Sequence, residues 1–426
     1  MKKKFLLLLI VSILCLGSLI GCTNSSNTQT SETTAVAEMT SSVQESVSAD
    51  STRSASLESV ASTLDESDET TESSAESISI NLSDYDANSV VNIDSAGDYI
   101  LSGTLTNGQI VVNVGDDEKV KLYLNNAQIT NNSGSAILVQ NAEKVVITLM
   151  DGTNNLVSDG TSYTELDENG NPDATIFSHD DLTINGNGSL TVTANYADGI
   201  KSSDDLKVTG GIITITAVDD GLFGNNSFEM KDATVVITAG GDTVHSDGDI
   251  LIESGSLTLN SGDDGIHADV TLTINDGTID IQNCYEGIEG TDVIINGGVI
   301  NIVANDDGIN GAGGTTETTS DTAVGSPKDN FAGSQGTITI NGGTITIAAA
   351  ISGAGDGLDA NGTITITGGD IVIKIPASYR DYSSIDFNTT FSLTGGYVRT
   401  LDANGTYTEV TESNVSNGGG MGHGKR

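Results

Sequence analysis

The sequence predicts an all-β fold, a right-handed single-stranded parallel β-helix, on three observations. The first is a repeat. Residues 249–311 read as three near-copies: DILIESGSLTLNSGDDGIHAD, VTLTINDGTIDIQNCYEGIEG and TDVIINGGVINIVANDDGING. Self-similarity at a fixed period marks a solenoid. The second is the step. The aliphatic residue after each acidic turn is Ile176, Ile200, Leu222, Val244, Ile266, Ile288 and Ile309, giving steps of 24, 22, 22, 22, 22 and 21. The third is the pattern inside each copy, which has period 2, as in Val270-Thr-Leu-Thr-Ile and Thr278-Ile-Asp-Ile. Thr, Val and Ile suit a pleated surface packed on one side. About 22 residues at roughly 3.3 Å each give a perimeter near 70 Å. That fits one three-faced coil with Gly, Asn and Asp at its corners.

The elements follow in order. Lys2, Lys3 and Lys4 precede an apolar run from Phe5 to Ile20, the layout of a targeting segment. It ends Leu19-Ile20-Gly21-Cys22, which resembles the lipobox of bacterial lipoproteins. Residues 1–22 are therefore expected to be a lipoprotein signal peptide, with Cys22 as the lipidated residue. Two acyl chains would anchor the chain stably to the extracellular face of a bacterial cytoplasmic membrane, within the cell envelope. Residues 23–79 are rich in Ser, Thr and Glu and poor in aliphatic clusters. Such a stretch buries too little apolar area to order itself, and reads as a tether. Strands begin at Ile80, and the helix domain is expected over 80–411. Its cap rungs (80–175) are irregular, as an end that covers an open ladder must be, with a polar loop between Asp151 and Pro172. Regular rungs occupy 176–311, an insertion 312–335, and further rungs 336–411. Residues 412–426 read as a flexible tail.

Composition narrows the function. The formal charge is -43 and the pI about 4.1. A nucleic-acid partner is excluded, because phosphate binding needs a basic face. Trp is absent, so neutral sugars have no indole platform. Of the three cysteines, Cys15 falls in the signal and Cys22 carries lipid. Cys284 then stands alone and reads as a small core residue. A monomer is expected.

Two positions before each inward aliphatic residue stand Asp198, Asp220, Asp242, Asp264, Glu286, Asp307 and Asp356. Asp219, Asp263 and Asp306 double the charge on alternate rungs. One place after the aliphatic residue come Lys201, Phe223, His245, His267, Glu289, Asn310 and Asp359. Rungs about 4.8 Å apart would stack these acids into a column. Unit charges at that spacing repel by about 3.5 kcal/mol at an effective dielectric of about 20. Calcium, which takes six to eight oxygens, would neutralise such a column. The candidate metal ligands are Asp198, Asp219, Asp220, Asp242, Asp263, Asp264, Glu286, Glu289, Asp306 and Asp307. A plain turn role for Asp-Gly explains the single acids, and the doubled ones less well. His245 and His267 share one column, which admits a transition-metal pair or simple solvent-facing rings. The Thr-x-Thr strands could form hydroxyl arrays of an ice-binding kind, though β-propensity alone accounts for them.

At Tyr99-Ile-Leu-Ser-Gly-Thr-Leu, Asp180-Asp-Leu-Thr-Ile-Asn-Gly and Asp263-Asp-Gly-Ile-His-Ala-Asp, the chain resembles a family of bacterial surface proteins. These are calcium-binding, carbohydrate-binding parallel β-helices, including a polygalacturonate- and cellulose-binding clostridial type. The family is similar in fold to pectate lyases. The resemblance covers roughly 80–410 and implies calcium as cofactor and an acidic polysaccharide as partner. This chain departs from the pattern at Gly241-Asp242-Thr243-Val244, where other rungs read Asp-Gly-Ile.

Three functions compete. The first is a non-catalytic module in which calcium bridges the acidic column to uronates, with Tyr196, Lys201, Phe223, His245, His267 and Tyr285 beside the glycan. The second is a pectate-type lyase with Lys201 as base, Lys207 being nearby. The third is an adhesin or wall spacer that calcium merely stiffens.

Overall fold

In the computed structural model, the described residues are 77–164, 172–312, 335–377 and 382–415. They form a single-stranded parallel β-helix of about 12 turns. By chain contacts Glu72–Arg426 is one unit, and the other, Met1–Thr71, lies outside the described residues. So do the signal segment with Cys22, most of the expected tether, residues 313–334 of the insertion, and the tail from residue 416.

Each turn contributes one strand to each of three parallel sheets. The first sheet runs from Val90–Ile93 through Asp198–Ser202 and Leu222–Gly224 to Ile385–Phe387. The second runs from Ile78–Asn81 through Asp205–Val208 to Thr390–Leu393. The third includes Asn154–Ser158, Ile212–Thr216, Thr234–Thr238 and Tyr397–Leu401. In the first sheet Ile176, Ile200, Leu222, Val244, Ile266, Ile288 and Ile309 pair in direct register. The counted step is thus the spatial repeat. Alternation does the rest: Ile213 and Ile215 point inward and are buried, while Thr214 and Thr216 are exposed. The inward residues of all three sheets merge into one aliphatic core. Truncating one such Ile to Ala would cost about 2–5 kcal/mol.

Register also holds through the irregular N-terminal rungs. Val91, Ile110, Ile137 and Ile176 stack in turn although 19, 27 and 39 residues separate them. Only the corners change length. One expectation needs correction here. The polar loop expected from Asp151 contains the strand Asn154–Ser158, which pairs with Ser189–Thr193. Val157 is fully buried there, and the Asn155 side chain bridges neighbouring rungs, which hid the strand from a hydropathy reading.

Both ends are closed. A short 3-10 helix, Leu82–Asp84, lays the fully buried Leu82 on the core. At the other end Tyr407–Glu409 pairs antiparallel with Tyr397–Leu401. The parallel ladder cannot propagate past that reversal. No helix among the described residues is long and apolar enough to cross a membrane.

Candidate functional site

The first sheet is entered at each rung by a tight turn, and the acids sit in that turn. Gly follows the acid in most rungs because the next rung lies too close. A Cβ on Gly265 would meet Gly287 O at 2.4 Å, and one on Gly287 would meet Gly308 O at 2.2 Å. Thr243 is the exception. It is buried and its hydroxyl donates to Gly265 O. The departure at 241–244 therefore leaves Asp242 in line with its neighbours.

The acids do form a single file, and each Asp in it accepts an amide N–H from the next rung. Asp198 Oδ1 accepts the Asp220 amide N–H at 3.2 Å, and Asp220 Oδ1 that of Asp242 at 2.7 Å. Asp242 Oδ1 accepts from Asp264 at 2.8 Å, and Asp264 Oδ1 from Glu286 at 3.1 Å. Asp307 and Asp356 continue the pattern toward Asp356 and Ser383. One oxygen of each Asp is thus committed to the backbone. From Asp198 to Asp264 the other, Oδ2, faces the parallel file one position past the aliphatic residue. Asp198, Asp242, Asp264, Glu286 and Glu289 are all at most 7% exposed. Asp219 and Asp263 are exposed, and Asp306 is half-buried beside them.

The second file reads Lys201, Phe223, His245, His267, Glu289, Asn310, Asp359 and Asp386 in register. Lys201 Nζ lies 2.8 Å from Asp173 Oδ2 and 3.1 Å from Asp198 Oδ2. It also sits 4.2 Å above the Phe223 ring. Phe223 stacks on His245 at 4.4 Å, and the His267 ring lies tilted against that of His245 at 5.1 Å. Tyr196 stands apart at the corner, 41% exposed, stacked at 4.3 Å on Tyr163. Tyr285 is half-buried, and its amide donates to Asp263 O. Asp173 and Tyr163 were not anticipated. Both come from the irregular rungs, where spacing no longer signals who stacks on whom.

Burial and crowding push the file's carboxyls upward. Asp242, Glu286, Glu289 and Asp307 rise well above the usual carboxylate range, first through burial and then through neighbouring carboxyls. Asp198 is pushed up to about 7 by burial, with Lys201 opposing. Asp263 rises to about 6 through burial and Asp264. Burial alone would lower the Lys201 amine, but Asp198 and Asp173 outweigh it and raise it. Lys201 is therefore held as an ammonium, which is the wrong state for a proton-abstracting base. The file favours whatever brings positive charge, whether protons or cations.

Donor atoms converge at several points. Asp220, Asp242 and His245 form one set within 4.8 Å, and Asp242, Asp264 and His267 form another. Asp356, Asp359 and Asp386 make an all-oxygen set of the same size. Oxygen-only sets such as this one, and the adjoining Glu286, Glu289 and Asp307, have the donor chemistry calcium takes. Asp386 escaped the sequence reading because it lies 27 residues beyond Asp359, off the regular step. A further set, Asp181, Asp204 and Asp205, lies at the start of the second sheet.

Known proteins give this geometry a family. A carbohydrate-binding domain-containing protein of Acetivibrio thermocellus is 44% identical over 143 residues, 32% of this chain and 50% of that protein. The chain thus spans about half the length of the curated relative it matches. A solved structure is that of a polysaccharide lyase-like protein from C. thermocellum, a gadolinium derivative. It is 26% identical, covering 74% of this chain and 99% of that one, with a TM-score of 0.35. The model of the carbohydrate-binding domain-containing proteins matches residues 87–330, more than half of the sequence, and the chain belongs to that family.

Proposed function

We propose that the protein binds an acidic polysaccharide of the polygalacturonate kind through calcium ions held on the acidic file. It does so as a monomer anchored by lipid at Cys22 on the outer face of the membrane. The observation that carries this reading is the file itself: buried carboxyls on successive rungs, each pushed toward protonation by burial and by the carboxyls next to it. A calcium ion there would be held by Glu286, Glu289, Asp306 and Asp307, or by Asp356, Asp359 and Asp386. Asp198, Asp219, Asp220, Asp242, Asp263 and Asp264 extend the same charged edge. Bound calcium supplies open coordination positions that a uronate carboxylate completes. Without it, a chain of charge -43 repels a polyanion. Tyr196 and Phe223 offer apolar ring surface alongside, and Tyr285, His245, His267 and Lys201 flank it.

The test is retention on immobilised polygalacturonate with calcium and with chelator. Retention only with calcium is the expected result, and equal retention in both discards the reading. A rise in melting temperature with calcium but no retention on glycan points instead to a stiffened wall spacer. Release of unsaturated uronates would restore the lyase alternative, against which the charged state of Lys201 speaks.

A further inference from the structure

The middle of the file differs chemically from its ends. Only there does the parallel file present nitrogen donors, His245 and His267. Asp242 lies between them and is 7% exposed. Its Oδ1 is committed to the Asp264 amide. Its Oδ2 stands 3.6 Å from His245 Nδ1 and 3.7 Å from His267 Nδ1, beyond hydrogen-bond reach of both. Asp220 Oδ2 approaches His245 Nδ1 at 2.9 Å, and Asp264 Oδ2 approaches His267 Nδ1 at 3.2 Å. Ligands about 2.0–2.1 Å from a tetrahedral ion lie about 3.3 Å from one another. These separations straddle that value.

A second observation points the same way. Each imidazole turns its far nitrogen toward the carboxylate two residues further along the chain. His267 Nε2 lies 3.3 Å from Asp269 Oδ1, and His245 Nε2 lies 3.6 Å from Asp247 Oδ1. At His267 a carboxylate within hydrogen-bond reach of Nε2 can hold that proton and leave Nδ1 to a metal, the usual support of a metal-bound histidine; Asp247 is only an ion-pair neighbour of His245. Phe223, stacked at 4.4 Å and 7° on His245, fixes the orientation of that ring.

We propose that Asp220, Asp242 and His245, together with Asp242, Asp264 and His267, form a divalent transition-metal centre of the zinc class, with Asp242 shared between the two triads. Nitrogen donors suit zinc, cobalt or nickel and are poor partners for calcium. The centre differs in donor type from the oxygen-only stretch proposed to hold calcium, which it meets at Glu289 Oε2, 3.4 Å from His267 Nδ1, and it does not depend on glycan binding.

The test is titration of the full, metal-stripped chain with Zn2+, and separately with Co2+ read by its visible absorption. The expected result is saturable binding of both ions that millimolar calcium does not displace. H245A and H267A should each weaken zinc more than tenfold, and D242N should remove it. Thermal melts of the apo variants confirm that each is folded. Zinc binding unchanged in the H245A/H267A double variant overturns the proposal. So does zinc that calcium displaces freely, or no zinc binding at all, in which case the two rings serve only as counter-charges to the file.

Discussion

Replacing Glu286 by Gln should change stability in opposite directions with and without calcium. Glu286 is 5% exposed, and its carboxyl is raised by burial, then by Glu289, Asp264 and Asp307. Each charged neighbour about 4.8 Å away costs about 3.5 kcal/mol at an effective dielectric of about 20. Proton uptake relieves part of this, so neutralising the residue in chelator should recover about 1–3 kcal/mol. Gln keeps the bond that Glu286 Oε2 accepts from Asn310 Nδ2 at 2.7 Å, since an amide oxygen accepts equally well. In chelator the melting temperature should therefore rise by about 2–5 °C. With calcium the same change removes a ligand charge, so the calcium-induced rise should shrink below that of the native chain. Differential scanning calorimetry in both conditions reads the two effects. A variant that melts below the native chain in chelator would falsify the account of the file as unneutralised charge.

The pH dependence has a definite sign. Carboxyls raised on folding, such as Asp198 at about 7 and Asp263 at about 6, contribute stability that is full below about pH 4 and lost as pH rises through those values. Apo melting temperature should thus climb as pH falls from about 7 to about 4, while the increment added by calcium shrinks because protons compete for the same oxygens; a calcium increment independent of pH contradicts this. Asp386→Asn should reduce the calcium-induced stabilisation more than Asp220→Asn does, since Asp386 belongs to an all-oxygen set and Asp220 faces His245. Calcium titrations of the two variants decide it, and equal losses would place the ions elsewhere. Gly265→Ala puts a methyl 2.4 Å from Gly287 O and 2.8 Å from Ile281 Cδ1, which should cost about 1–3 kcal/mol in a denaturant melt. Asn296→Ala breaks the side-chain ladder Asn275–Asn296–Asn341, two bonds of 2.8 Å. It should cost about 1 kcal/mol and speed amide exchange at that corner first.

Much of this site was legible because a parallel solenoid turns sequence period into spatial contact. Residues 22 apart become neighbours, so Asp220, Asp242 and Asp264 could be placed in one file by counting alone. The same rule fails wherever a corner changes length. Asp173 reaches Lys201 across 28 residues, and Asp386 joins Asp359 after 27. Nothing in composition marks which residue will meet which after such a step. Counting also could not reveal that one oxygen of each Asp is spoken for by the next rung's amide. That depends on side-chain rotamer, which period does not encode.

The bonded oxygen changes how the file should be understood. Seven acids in line look like a surface accident tolerated by water, yet from Asp198 to Asp264 each Asp caps a backbone N–H at the turn of the next rung. An acid at that position stabilises the corner locally and adds to the repulsion along the axis globally. The second file offsets the repulsion differently along its length. Lys201 answers Asp173 and Asp198 at one end, and His245 and His267 answer Asp220, Asp242 and Asp264 in the middle. From Glu289 onward that file is Asn310, Asp359 and Asp386, which carry no positive charge of their own. The second file itself thus turns from basic to acidic along the axis from Lys201 toward Asp386. A divalent ion bound at the far end would meet carboxylates in both files, the donors calcium takes, which is why calcium is proposed there and the nitrogen-seeking metal in the middle.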